Sequence, residues 1–168
     1  MRDQLKEFLI EWDHETDGTL LLMRSLPSDK FDWRPAEDGR SIGELAVHLS
    51  EIEAYVSQGI ERRAFTFEPP QIERPRSIET LAPAFRAVHE GARARIVRLQ
   101  AADLEHEIRF ADGHPRTIRS LLWRNLLMHA IHHRGQLMLL CRLARGIPPG
   151  LFGPTREQSA ARRASAAR

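Results

Sequence analysis

Four stretches of the chain carry apolar residues at helical spacing, and segments rich in proline, glycine and polar residues separate them. An α-helix turns once in about 3.6 residues, so this spacing places the apolar side chains along one side of a helix. The stretches cover about residues 2–26, 41–63, 77–100 and 117–146. Each helix must bury its apolar side against a neighbour. Together they predict an all-α fold, a four-helix bundle with one long crossover connection.

Local signals mark the ends of these helices. Ser41, with Glu44 three residues later, has the pattern of a capping box. The connector 65–76 holds three prolines and therefore cannot be a regular helix. In the second connector, 104–116, Asp112 followed by Gly113 predicts the turn of a short hairpin.

The length and the distribution of charge indicate one domain with a short tail. The 168 residues are enough for a single substantial core, and we predict this domain over residues 1–153. Residues 154–168 contain four arginines against one glutamate, a net charge of +3, and no large apolar side chain. They are therefore predicted to form a disordered basic tail. No basic helix side accompanies the tail, which argues against nucleic acid as a partner.

The sequence also indicates a compartment. No apolar run approaches the roughly 20 residues of a membrane-spanning helix, so no membrane association is predicted. The segment from Met1 to Glu7 lacks the pattern of a signal peptide. The single cysteine, Cys141, excludes an internal disulfide framework and suits a reducing environment. We therefore expect a cytoplasmic protein, with Cys141 as a small buried residue rather than a nucleophile.

The last stretch contains the strongest functional signal, two histidines four residues apart. His129 and His133 project from the same side of the helix, and two imidazoles so placed can bind one metal ion. A third ligand should lie on the inner side of another helix, because bundle interiors gather metal sites from facing helices. His48 fulfils this condition, since it lies between Leu45 and Ile52 on the apolar side of the second helix.

One metal ion satisfies three buried imidazoles together, so we predict a three-histidine site with open coordination positions. The alternative interpretation is three core histidines, each hydrogen-bonded to a neighbour. The other histidines are weaker candidates. His132 is expected around the site, His89 is a reserve ligand, His14 is weaker still, and His106 and His114 are expected in solvent.

Glu51, one turn after His48, is the one catalytic candidate that the sequence offers. Its carboxylate can act as a base or orient an imidazole, and the alternative is a solvated charge on the helix surface. Asn125, one turn before His129, can hydrogen-bond in the site or satisfy the backbone near the helix start. The chain has no His-Glu-x-x-His motif, Gly-rich phosphate loop or Gly-x-Ser-x-Gly elbow.

Several motifs in a fixed order resemble the DinB family, small bacterial DNA-damage-inducible proteins unrelated to the translesion polymerase of the same name. They are WRP at residues 33–35, GRSIGELAVH at 39–48, FADG at 110–113 and HAIHHRGQL at 129–137. Each motif alone is weak, whereas the ordered set is specific. The similarity covers about residues 1–149 and leaves only the tail outside.

The resemblance implies a four-helix bundle that holds a divalent metal ion, usually nickel, zinc or iron, through His48, His129 and His133. It also implies a homodimer. Relatives in the wider superfamily are transferases and isomerases that use bacillithiol, mycothiol or glutathione. Our leading hypothesis is therefore a metal-dependent enzyme that transfers a low-molecular-weight thiol to an electrophilic small-molecule substrate. The alternatives are a metal-dependent hydrolase, a non-enzymatic metal-binding stress-response protein and a purely structural bundle.

Overall fold

The computed structural model describes residues 4–166, which are mainly helical with one small two-stranded sheet. The predicted start of the first helix at Arg2 lies outside the described residues. In chain order the elements are α1 (Gln4–Arg24), α2 (Ile42–Arg62), α3 (Ile78–Ile96), a short 3-10 helix (Ala101–Glu105), β1 (Glu107–Arg109), β2 (Pro115–Thr117), α4 (Ile118–Ser120), a π-helix (Leu121–Met128), α5 (His129–Leu143) and α6 (Arg156–Ala166). Within these residues no helix is both long enough and apolar enough to cross a membrane.

Helix α2 has the most extensive packing in the fold. It contacts α3, the π-helix and α5, while α1 contacts α3 and the π-helix. The facing apolar side chains form two clusters. The first includes Leu20, Leu45, Phe85 and Leu137, and the second includes Phe8, Val56, Ile96 and Leu126. Burial of each such side chain stabilises the fold by about 1.5–3 kcal/mol relative to exposure, so these clusters hold the helices together.

Buried polar side chains lie between the two clusters. Thr16, Glu53, His89 and Arg134 each lie, along their own helix, between a residue of one cluster and a residue of the other. All four are at most 7% exposed, and we call them the polar layer. Glu53 accepts a hydrogen bond from Trp12 Nε1 at 3.0 Å and lies 2.9 Å from His89 Nδ1. Such partners offset the cost of taking polar groups out of water.

The predicted capping box and hairpin are both present. Ser41 Oγ accepts from the Glu44 N–H at 3.1 Å, and Glu44 Oε2 accepts from the Ser41 N–H at 2.7 Å. Strands β1 and β2 pair antiparallel, with Glu107 opposite Thr117. Gly113 in the turn has a φ of 85°, a left-handed conformation that glycine adopts without steric cost. Both predictions are confirmed.

An aromatic ring anchors the connector between α2 and α3. A Cβ at Gly59 would overlap the ring of Phe65, so the close approach of this ring to α2 requires glycine. The Phe65 ring packs against Tyr55 and Phe110, with centroid distances of 5.4 and 4.8 Å. The connector is thereby held beside the hairpin.

The predicted fourth helix is continuous but not uniformly α-helical. Helix α4, the π-helix and α5 follow one another without a break. Thr117 caps the start, where its Oγ1 accepts from the Ser120 N–H at 3.2 Å. The helix ends at Leu143 rather than at the predicted Gly146. A π-helix has wider turns, closed by hydrogen bonds between residues five apart, and apolar spacing alone does not predict it.

The predicted disordered tail contains helix α6. No residue of α6 is buried, and an ion pair between Glu157 and Arg142, at 2.8 Å, connects it to α5. A surface ion pair contributes about 0–1 kcal/mol. Disorder of this tail in solution stays a prediction, and residues 167–168 lie outside the described part of the chain.

Candidate metal centre

Three histidines from two helices meet at one place. His48 lies in α2, His129 is the first residue of α5, and His133 follows one turn later. One ligand nitrogen from each ring lies within 4.8 Å of those of the other two. Nε2 of His129 and Nε2 of His133 are 2.9 Å apart. The His48 ring stands edge-on to that of His133, with centroids 4.6 Å apart. The structure thus brings together the three histidines that the sequence singled out.

Packing of α2 against the π-helix and α5 produces this meeting. Val47 and Leu49, on either side of His48, are buried in the first apolar cluster. Leu126 and Leu127, just before His129, are buried in the second. The three histidines themselves are partly buried. They are therefore accessible at the margin of the core rather than enclosed within it.

Each ring also has a partner outside the cluster. Nδ1 of His48 lies 3.2 Å from Oε2 of Glu51. Nδ1 of His133 lies 2.7 Å from Oε1 of Gln136. A carboxylate and an amide oxygen can only accept, so both rings donate their N–H outward. Nε2 of each ring then keeps its lone pair for the cluster.

His129 also has a neighbouring backbone group, because the Asn125 carbonyl, one turn earlier, acts on the ring as a hydrogen-bond acceptor and raises its pKa. All three rings can therefore present an unprotonated nitrogen to a common point. Three neutral imidazoles suit zinc, nickel and iron alike, and three protein ligands leave an open position on a four-coordinate ion. The residues present fit a divalent metal ion.

The surroundings favour the neutral imidazoles. Burial lowers the pKa of His48, the hydrogen bond with Glu51 partly offsets this, and the positive charge of Arg40 lowers it further. Burial likewise lowers the pKa of His129, and charge on His48 adds to the effect. The pKa of His133 falls to about 4, mainly because of burial. The neutral form is the one that binds a metal ion.

A cavity of about 390 Å³ opens beside His48 and His129. This volume lies within the range of pockets that bind small molecules. Its walls are mostly apolar and come from α2, the connector and the hairpin. They include Ile52, Tyr55, Val56, Phe67, Pro70 and Phe110. We call this space the apolar cavity.

Glu51 connects the histidine cluster to the connector between α2 and α3. Its Oε2 faces His48, and its Oε1 accepts from Arg74 Nη2 at 2.5 Å. The Glu51 side chain is 22% exposed and also lines the apolar cavity. Both oxygens are therefore engaged, which favours orientation of the His48 ring over proton abstraction.

The remaining histidines do not join the cluster. His132 is exposed, with its Nε2 3.1 Å from Nε2 of Gln136. His14, His106 and His114 are also exposed. His89, the reserve ligand, lies instead in the polar layer among Glu53, Asp13 and Thr16.

Cys141 is buried as predicted, and burial raises the pKa of its thiol. Two supporting residues were missed by sequence reasoning. Gln136 follows His133 by three residues, but this spacing alone does not show that its amide orients the His133 ring. Arg74 gave no local signal, because its partner Glu51 lies 23 residues earlier.

A mainly helical chain with three converging histidines beside an apolar cavity defines a small helical protein with a candidate metal-binding centre. The chain belongs to the DinB superfamily, whose family model matches residues 11–137. The matched range includes His48, His129 and His133. The resemblance found in the sequence is therefore confirmed.

The chain is also similar to a curated relative and to solved structures. The uncharacterized protein YrdA of Bacillus subtilis is 28% identical over 164 residues, which cover 94% of this chain and 93% of the relative. A DinB-like protein of Bacillus cereus superposes with a TM-score of 0.73 at 25% identity, over 88% of this chain and 97% of that one. A second DinB-like protein, YjoA of Bacillus subtilis, gives a TM-score of 0.67 at 23% identity, over 82% and 91% of the two chains.

Proposed function

We propose that this protein is a divalent-metal-dependent enzyme that transfers a low-molecular-weight thiol to an electrophilic small molecule. The observation that carries the proposal is the convergence of His48, His129 and His133 at the edge of the apolar cavity. Three neutral protein ligands with room beside them are typical of catalytic metal sites, whereas structural sites are closed by four protein ligands.

The three histidines would hold the ion, and it would be nickel, zinc or iron. Bound there, a divalent ion lowers the pKa of a coordinated thiol and makes the thiolate available near neutral pH. The thiol gives its proton to solvent, and its sulfur lone pair forms a bond to the electrophilic carbon. The leaving group departs with the electrons of the bond that breaks.

The apolar cavity supplies the binding surface for the electrophile. Tyr55, Phe67 and Phe110 provide aromatic surface there. Burial of apolar area contributes about 25 cal/mol per Å², so an apolar or aromatic electrophile is the preferred occupant.

We assign Glu51, the catalytic candidate of the sequence, a positioning role. Its contact with His48 fixes which ring nitrogen faces inward, and its contact with Arg74 holds the connector against the site. Partners of this kind tune metal affinity without touching the substrate.

The first experiment is metal analysis of protein purified without added metal or chelator. We expect about one ion per chain, as a single three-histidine site requires. His129→Ala and His48→Ala should lose the ion with helicity by circular dichroism unchanged. His106→Ala, at an exposed position, is the matched control. Undiminished metal in His129→Ala would show that the three histidines do not hold the ion, and a natural chain without metal would indicate a purely structural bundle.

The second experiment separates the candidate activities. The metal-loaded protein is assayed with mercaptoethanol plus chlorodinitrobenzene for thiol transfer, and with a nitrophenyl ester for hydrolysis. Faster thiol transfer supports the proposal, and ester turnover alone supports the hydrolase. Metal binding with neither activity supports the non-enzymatic stress-response protein.

We also propose that the chain folds as the predicted four-helix bundle with a long crossover connection. We further propose that it forms a homodimer and that it is located in the cytoplasm. Contacts of α2 with α3 and α5, and of α1 with α3, support the bundle. Ile10 and Met128, 56% and 58% exposed, line one shallow apolar depression that a second copy can cover. Sedimentation analysis should give a dimer for the natural chain and a monomer for Ile10→Glu.

A further inference from the structure

A second cavity, of about 520 Å³, shares Glu51 with the apolar cavity. Three arginines line it, Arg34, Arg40 and Arg74, and we call it the arginine cavity. Glu51, the residue that orients His48, therefore borders both the mostly apolar cavity and a second cavity lined by charged side chains. A substrate with two chemically different parts, or two substrates, can use both.

Two of the three arginines already have carboxylate partners. Arg34 pairs with Glu44 at 3.1 Å, and Arg74 pairs with Glu51 at 2.5 Å. Within residues 4–166, Arg40 forms no hydrogen bond or ion pair, although Asp38 lines the same cavity. Its guanidinium thus has five N–H donors available, in a planar arrangement that matches a carboxylate, sulfonate or phosphate.

The arginine cavity meets the histidine cluster at Glu51, which lines this cavity and contacts Nδ1 of His48. Arg40 directly precedes Ser41, the buried N-cap of α2, so its backbone is held at the start of the helix that carries His48. Among the described residues that line the apolar cavity, in contrast, there is no arginine or lysine.

We propose that Arg40 binds an acidic group of the thiol substrate and so selects anionic thiols for the three-histidine site. The inference rests on the proposed function and adds to it the charge of the thiol and the residue that recognises it. The acidic group occupies the arginine cavity, while the electrophile occupies the apolar cavity. A bidentate guanidinium contact of this kind supplies both affinity and orientation.

The test uses the full chain loaded with Co²⁺ and two thiols of similar length, mercaptoethanesulfonate and mercaptoethanol. Binding is followed by the sulfur-to-cobalt charge-transfer band. We expect the natural chain to bind the sulfonate about tenfold more tightly than the alcohol, the scale of one charge-assisted hydrogen bond. Arg40→Ala should lose this preference with unchanged affinity for mercaptoethanol, and Arg40→Lys should keep part of it.

Arg86→Ala is the control, since Arg86 is an exposed arginine of α3 outside both cavities. A preference that persists in Arg40→Ala overturns the role of Arg40 and leaves the proposed function standing. Absence of the band with both thiols in the natural chain overturns the thiol chemistry and the inference together. A salt titration of the natural chain needs no variant: the preference should shrink as ionic strength rises, and a salt-independent preference contradicts the proposal.

Discussion

Nε2 of His129 faces Nε2 of His133 at 2.9 Å, while the outer nitrogen of His133 donates to Gln136. The Asn125 backbone acts on His129 as a hydrogen-bond acceptor and raises its pKa. With its outer N–H donated to Gln136, the His133 ring has a lone pair at Nε2 that a metal ion can bind. Affinity for a metal ion therefore depends on the partners that fix the rings.

Gln136→Leu should lower metal affinity by about 10–100-fold, the usual effect of losing such a partner. The stoichiometry should not change, because all three histidines remain. Isothermal titration calorimetry measures both quantities. Gln71→Leu, at an exposed connector position, is the control and should bind like the natural chain. Equal affinities for the two variants would show that Gln136 does not orient His133.

Glu53→Ala should lower the free energy of unfolding by about 3–5 kcal/mol, because it removes one partner of a buried charged network. Glu53 is 1% exposed and is bonded to both Trp12 and His89. Urea denaturation provides the measurement. Glu61→Ala breaks only surface pairs, with Arg95 and Arg98, and should cost less than about 1 kcal/mol. Similar losses in the two variants would contradict the importance of the polar layer.

The contribution of His89 to stability should decrease as the pH rises. Burial by itself lowers the pKa of His89, but the hydrogen bonds and charges of Glu53 and Asp13 raise it above 6.5 overall. A raised folded-state pKa gives stability that is fully present below the unfolded pKa and is lost as pH rises through the folded pKa.

Urea denaturation of the natural chain and of His89→Gln should therefore show a larger difference near roughly pH 6 than near pH 9. The other groups that face His89, Thr16 and the edge-on ring of Trp12, do not titrate in this range. The cluster histidines are common to both proteins and cancel in the difference. A difference in unfolding free energy that grows with pH would contradict a raised pKa of His89 in the folded state.

Phe67→Ala should weaken binding of an apolar electrophile by roughly tenfold, because it removes aromatic surface from the apolar cavity. Stability should hardly change, since Phe67 is 84% exposed. Phe152→Ala is a matched control, as Phe152 is 77% exposed and lines a different cavity, with Arg134. Steady-state kinetics at saturating thiol should show the change in KM only for Phe67→Ala.

The buried side of each helix could be predicted from the sequence because it follows from local periodicity. Leu45, His48 and Ile52 fall on one side of α2 by spacing alone, and the structure packs that side against the helix of His129. The meeting of the three histidines could be predicted from the same helical spacing, because it places each of them on the side of its helix that faces the other helix. The capping box of Ser41 and the hairpin turn are equally local.

Partners distant in sequence could not be predicted in this way. Glu53 meets Trp12 across 41 residues and Arg74 meets Glu51 across 23, and both contacts depend on how whole helices and the connector pack. His89 lies on a buried helix side like a ligand, yet a nearby carboxylate makes it part of an ion-pair network. The spacing of apolar residues predicts which side of a helix is buried, but not which side chains that side contacts.

The π-helix Leu121–Met128 makes the centre sensitive to chain length as well as to residue identity. Closing the segment to an α-helix at unchanged length would rotate His129 and His133 by about 100° or more relative to α4, whereas deleting one residue at the same time would largely restore their direction. In the first case both donors would leave His48 although every ligand remained in the sequence. When relatives of this protein are aligned, a single-residue gap just before the histidine pair is therefore compatible with an intact metal centre, provided that the segment is α-helical there.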